Sequence, residues 1–210
     1  MFIGWTFTPD LYDGGKMRIT SDDPRTRYTD KLIKDSLVSL LADKKPGEVT
    51  VAELCRVANI NRGTFYNHYC DIADAFADIE DDIFRKVIDR MDDINAYDLD
   101  YRFFLDMLHI VKDNATIVAI IMDDLASDSL IGRITGYAKR KYANDLRLRR
   151  YAGNDVAETD DLFAYVFNGS IGIIGKWAQG GYVRSPEDVA KRIDFFNKSV
   201  ISAVLKCGGT

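Results

Sequence analysis

The chain has 210 residues, 47% of them hydrophobic, and a formal net charge of −5, so it can bury a real core and is not a disordered polymer. Four prolines, none between Pro46 and Pro186, favour helices, and no alternating strand pattern, repeat or low-complexity tract stands out. No apolar run approaches the ~20 residues of a membrane-spanning helix, and three cysteines at non-framework spacing without a secretory signal point to a reducing cytoplasm.

Residues 1–23 read as an N-terminal arm. Gly14-Gly15-Lys16 immediately precedes Met17, and codons for that tripeptide can spell a purine-rich ribosome-binding sequence. Two readings stand side by side: Met17 is the natural start, or the arm is an ordinary flexible segment. A first helix is expected from Thr26 or Thr29 to Ala42, with Leu32, Ile33, Leu37, Leu40 and Leu41 at helical spacing. Lys44-Lys45-Pro46-Gly47 is a turn.

Residues 50–69 carry the strongest signal. Thr50 followed by Glu53 is a capping box that opens a short helix whose Leu54, Val57 and Ala58 share one face. Asn59 tolerates positive φ and can end it, Ile60 plugs the turn, and Asn61 caps a second helix over Arg62–His68. Phe65 and Tyr69 seat that second helix, leaving Arg62, Thr64, Tyr66, Asn67 and His68 to face outward. At 1.5 Å per residue it is ~10 Å long, a size suited to a DNA major groove. This is a helix-turn-helix on physical grounds.

The same stretch, with its Tyr66-Asn67-His68-Tyr69 ending and flanking helices, resembles the DNA-binding domain of TetR-family one-component regulators over roughly residues 25–85. The Asn61–Tyr66 run is especially similar to a subgroup whose best-known regulatory relative acts with dihydroxyacetone-kinase genes. The resemblance implies an all-α fold of about nine helices. It divides the chain into a helix-turn-helix domain over 24–84 and an effector-binding and dimerisation domain over 85–210. It also implies a homodimer on a palindromic operator, acting as a repressor under an unidentified small-molecule effector.

On that reading Arg62 and Asn67 contact base edges, the arginine at guanine and the asparagine at adenine. Thr50, Asn61, Thr64, Tyr66 and His68 contact phosphate, Gly63 admits the backbone closely, and Lys44 and Lys45 add nonspecific attraction. Charge is distributed to suit. Residues 24–70 carry eight basic and five acidic side chains, whereas residues 71–100 carry three basic and eleven acidic. One departure matters: family members commonly place a lysine at the start of the fourth helix, where this chain has Cys70-Asp71-Ile72-Ala73-Asp74. A second reading is therefore a TetR-like adapter that acts through a protein partner with weak DNA binding of its own.

Asp71 caps a fourth helix over about Ile72–Met91, with Phe76, Ile79, Ile83, Phe84, Val87 and Ile88 inward. Further helices are expected over Tyr101–Lys112, Thr116–Leu125 and Leu130–Arg149. Gly153-Asn154-Asp155 breaks the pattern, and Thr159 or Asp160 opens a helix to Trp177. Gly180-Gly181 ends it. Ser185-Pro186-Glu187-Asp188 begins the last helix, with serine at the cap, proline at the first position and acid in the first turn.

An effector pocket, if built from this body, draws on Phe104, Met107, His109, Tyr137, Phe163, Phe167 and Trp177, with Tyr101 and Phe103 beside them; the same residues also suit an ordinary core. Small residues Gly169, Ser170, Gly172 and Gly175 suggest close helix approach. Phe167, Ile171, Ile174, Ile193, Phe196, Val200 and Val204 are the expected dimer face. No Gly-rich phosphate loop, catalytic triad or zinc spacing is present, so no enzyme activity, cofactor or metal is expected.

Overall fold

Asp23 caps the first helix: its carboxylate accepts the Arg25 backbone N–H at 3.0 Å, and Pro24 occupies the first helical position. The computed structural model describes residues 23–93, 100–123, 130–142 and 156–207. Helix α1 runs Pro24–Leu41, opening ahead of Thr26 because an Asp-Pro pair is a stronger start than either threonine. A 3-10 turn at Pro46–Glu48 follows, then α2 Val51–Val57, α3 Arg62–His68, α4 Ile72–Asp92, α5 Tyr101–Asp113 and α6 Ala115–Asp123. The remaining helices are α7 Leu130–Tyr142, α8 Val156–Gln179 and α9 Pro186–Cys207. Among the described residues there are thus nine α-helices and no strand, an all-α fold. None is long and apolar enough to cross a membrane.

Helix α8 begins at Val156, ahead of the threonine and aspartate expected to open it. The N-terminal arm, the end of α6 at Leu125, the stretch to Arg149 and the Gly153-Asn154-Asp155 break lie outside the described residues.

Two cores share α4. The first gathers Ile33 and Leu37 of α1, Leu54 of α2, Phe65 of α3 and Ile79 and Ile83 of α4, together with Ile117 and Ile121 of α6. The second starts one turn further along α4 at Val87 and Met91 and takes in Phe103, Phe104 and Leu108 of α5, Trp177 of α8 and Ile193 of α9. Helix α9 packs against α5 and α8. One continuous 21-residue helix therefore belongs to both halves. At 1.5 Å per residue it spans ~30 Å, its first two-thirds packed into one core and its last turns into the other.

The acid-rich composition of α4 is consumed by this role. Asp71 accepts the Asp74 N–H at 2.8 Å while Asp74 accepts the Cys70 N–H at 2.9 Å, so the acids standing where the family's lysine is expected are helix caps. Asp81 pairs with Arg133 at 2.8 Å, and that guanidinium lies over the Phe84 ring at 4.3 Å. Asp92 accepts from Tyr137 at 2.5 Å and Lys141 at 2.6 Å. Positions 133, 137 and 141 are successive i, i+4 neighbours on α7, so one stripe of that helix is bonded along α4.

Candidate DNA-binding interface

The turn between α2 and α3 is built by local chemistry. Thr50 Oγ accepts the Glu53 N–H at 3.2 Å and opens α2. Asn59 closes it at φ 52°, with Ile60 N–H donating to Cys55 O at 3.0 Å and Asn59 N–H to Arg56 O at 3.4 Å. This pair of bonds satisfies carbonyls that α2 leaves open, and a non-glycine at positive φ is tolerated because asparagine populates that region. Ile60 then packs back onto the first core. Val57, expected on the inner face, is instead 44% exposed at the end of α2. With Leu54 and Ala58 facing inward, position 57 turns towards solvent because α2 is too short to wrap a partner around that side.

Asn61 Oδ1 accepts the Thr64 N–H at 2.7 Å and the Thr64 hydroxyl at 3.1 Å, fixing the start of α3. A Cβ on Gly63 would lie 3.2 Å from that same oxygen, so the glycine protects the cap as well as leaving the helix start slim. Phe65 is fully buried and Tyr69 almost so, anchoring the helix by its inner side. Burying a phenylalanine of this kind is worth about 1.5–3 kcal/mol. Arg62, Tyr66 and Asn67 stand exposed on the opposite side, Tyr66 with its ring edge-to-face on Phe65 at 5.5 Å. The structure thus presents arginine, tyrosine and asparagine together on the outer face of a seven-residue helix.

Two expected contact residues sit elsewhere. His68 turns inward: its side chain is 13% exposed, with Nδ1 4.0 Å from Asp30 Oδ1 and its ring beside Tyr69. Position 68 lies three residues past Phe65 and so shares its buried face. Lys44 is bound to Glu53 at 2.6 Å, a bond that holds the Glu53 carboxyl below the usual carboxylate range. Lys45 is exposed.

Behind α3 lies a polar hub that residue spacing does not reveal. Lys34 of α1 contacts Asp30 at 3.2 Å, Asp78 at 2.8 Å and Asp82 at 2.6 Å. The Tyr69 hydroxyl sits between Asp30 and Asp78, 2.9 Å from the latter. Burial works to lower the Lys34 pKa, but its bonds to Asp78 and Asp82 and the nearby charges prevail and raise it. Burial raises that of Tyr69, and both carboxylates add to the rise.

In the body, an apolar cavity of about 150 Å³ is lined by five of the expected residues: Phe103, Phe104, Met107, Phe163 and Phe167. It also takes Ile171 and Ile174, expected at the dimer face, Val87, expected on the inward side of α4, and Met91, Val111, Met122, Ile131 and Ile134, which carry no distinguishing sequence signal. His109 is exposed, because it lies two residues, about 200°, around α5 from Met107. Tyr137 is committed to Asp92 and α4. Trp177 donates Nε1–H to Arg184 O at 2.9 Å and packs edge-on against Tyr182 at 4.8 Å. It secures the α8–α9 turn, where Gly181 takes φ 71°, and does not line the cavity. Tyr101 is half-buried beside the second core without lining the cavity.

Ile193 is fully buried within the subunit and is core rather than dimer face. Phe196 is 45% exposed, Val200 and Val204 half-buried, and Tyr165 and Phe195 join the apolar exposure of α8 and α9. Of the small residues on α8, Ser170 bonds Asn197 across to α9 and Gly175 makes room for Met122. Gly169 and Gly172 face open space.

Residues 98–198 match the family model described as a transcriptional regulator C-terminal region, of TetR type. No protein of curated function matches the chain. Among solved structures the chain is similar to a TetR transcriptional regulator from Streptococcus agalactiae, at 19% identity and TM-score 0.58 over 82% of this chain and 95% of that one. It is similar to the dihydroxyacetone kinase operon activator DhaS, at 17% identity and TM-score 0.55 over 83% and 97%. A TetR-family regulator from Syntrophomonas wolfei aligns at 16% identity and TM-score 0.61 over 84% and 96%. Residues 98–198 are thus a regulator C-terminal region of TetR type, joined through α4 to a three-helix helix-turn-helix unit, and the chain shares the fold of the TetR-family regulators it aligns with.

Proposed function

We propose that a homodimer of this chain binds a palindromic operator through one α3 helix per half-site and represses the adjacent genes until a small-molecule effector binds the body. In this reading residues 24–84 are the DNA-binding domain and residues 85–210 the effector-binding and dimerisation domain. The observation that carries it is the outer face of α3, where Arg62, Tyr66 and Asn67 are exposed on a helix held from behind by Phe65 and Tyr69. Arginine and asparagine at base edges with hydroxyl and amide groups at phosphate is the division of labour a major-groove helix requires. Two-fold symmetry of the protein implies two-fold symmetry of the site. Dimerisation is supported by Gly169 and Gly172, exposed glycines in a helix interior that cost up to about 1 kcal/mol each and gain nothing within the subunit.

The adapter reading has its own support in the caps Asp71 and Asp74 and in the Lys44–Glu53 pair, which withhold charge from phosphate. A footprint on promoter DNA, followed by a salt titration, separates the two. A regulator protects a palindrome and loses affinity steeply with salt, with a slope of about −0.9 per phosphate contacted. An adapter gives no footprint. A reporter gene behind that palindrome settles the sign, since the DhaS relative is titled an activator.

A further inference from the structure

The cavity in the body has a chemistry that narrows its ligand. Its single polar lining residue is Ser170, whose hydroxyl donates to Val166 O at 2.7 Å and accepts from Asn197 Nδ2 at 3.1 Å. Its only donor and one of its two acceptor positions are therefore spent inside the protein. A ligand carbonyl or other acceptor entering the cavity gives up water and meets no free side-chain donor, and a polyhydroxylated ligand meets at most one free side-chain acceptor position, a loss of about 1–3 kcal/mol for each neutral group left unpaired. The walls reward apolar surface only.

Methionine placement points the same way. The chain has five methionines, and the three beyond residue 17 (Met91, Met107 and Met122) all line this one cavity. Methionine is unbranched and polarisable, suited to a surface that reshapes around a guest and to contact with an aromatic ring. Phe163 and Phe167 stack with centroids 5.2 Å apart on one wall, extending an aromatic face. A cavity of about 150 Å³ with aliphatic and aromatic walls holds a benzene-sized molecule.

We infer that the cavity is a binding site for a small, uncharged, apolar molecule of about one aromatic ring, and that polar trioses are excluded from it. This deepens the effector reading and rests on it for its regulatory meaning. Val87 and Met91 bring the guest into direct contact with α4, the helix whose other end follows the recognition helix.

The test uses the full chain with toluene as probe, and glycerol and dihydroxyacetone as polar controls. Toluene at ~100-fold excess over its Kd is expected to raise the melting midpoint by about 5–10 °C, and the polar compounds by nothing measurable. Val166→Phe and, as a second variant, Val111→Phe fill the cavity from two different helices. Whichever melts cooperatively is expected to lose the toluene shift. No shift in the unmodified protein overturns the inference, as does a shift undiminished in the filled variant or a shift produced by dihydroxyacetone instead. Operator binding is read in parallel without ligand. A missing footprint counts against the DNA-binding reading, while an intact footprint with no toluene shift counts against the cavity alone.

Discussion

The hydroxyl of Tyr69, one residue beyond the recognition helix, lies 2.9 Å from Asp78 Oδ2 on α4. That bond, with the Lys34 ammonium and Asp30, ties α1, the end of α3 and the first third of α4 into one charged knot behind the exposed face of α3. Helix α3 is thus held by a buried aromatic side and a polar anchor, both away from its exposed Arg62, Tyr66 and Asn67.

The knot predicts alkaline sensitivity. Folding raises the pKa of Lys34 above 10.5 and that of Tyr69 above 10.0, so the folded state binds both protons more tightly than the unfolded chain. The stability this confers is whole below about pH 10 and drains as pH rises through the unfolded values towards the folded ones. Each group contributes a slope of up to about 1.4 kcal/mol per pH unit. Urea midpoints should therefore fall between pH 10 and 11. Tyr69→Phe is expected to cost about 1–2 kcal/mol at neutral pH and to flatten the alkaline limb. An alkaline limb unchanged in that variant places its origin elsewhere.

Arg62→Ala and Asn67→Ala should each weaken operator binding by roughly 5- to 150-fold and relax preference at one base pair per half-site. Lys45→Ala should instead weaken binding to all sequences alike and reduce the salt slope by about 1. Fluorescence anisotropy on matched and mismatched duplexes checks both. Equal losses on specific and random DNA for Arg62→Ala would move that residue to the phosphate class.

His68 offers a sharp contrast with its neighbour Asn67. Because its ring faces Asp30 and Tyr69, His68→Ala should reduce stability by about 0.5–1.5 kcal/mol and leave affinity per folded molecule within about twofold. Active-fraction-corrected binding curves distinguish this from a phosphate contact, whose loss would lower affinity without lowering the melting midpoint.

Two substitutions three positions apart on α9 should behave differently. Ile193→Ala, in the subunit core, is expected to cost about 2–5 kcal/mol of stability. Phe196→Ser, at an exposed ring, should instead convert dimers to monomers in sedimentation while secondary structure persists. A Phe196→Ser protein that sediments as a dimer indistinguishable from the parent moves the interface off this face.

The helix-turn-helix was legible because its determinants are local. Thr50, Asn59, Asn61 and Asp71 each act on backbone groups within a few residues, and in the structure each caps or closes a helix as its position along the chain requires. Ser185 likewise accepts the Asp188 N–H at 3.1 Å at the start of α9. The opening of α1 at Asp23-Pro24 uses the same chemistry, with aspartate a stronger cap than the threonines at 26 and 29.

Side-chain partners followed another logic. Residue type suggests a phosphate contact for His68 and pocket lining for Tyr137 and Trp177, yet each faces a group from a different element or turn: Asp30, Asp92 and Arg184 O. The acids of α4, which in the sequence stand only as missing positive charge, act in the structure as caps and ion-pair partners, Asp78 and Asp82 reaching a lysine 44 and 48 positions away.

By itself, then, the order of residues determined the helices, their ends and the polar outer face of α3, since caps and periodicity operate over one or two turns. Only the tertiary structure decided which inward-facing residues meet at the cavity, which acids bind Lys34 and which way His68 and His109 point. Those outcomes depend on which helix packs against which, and a helical period specifies a buried side without specifying what lies against it.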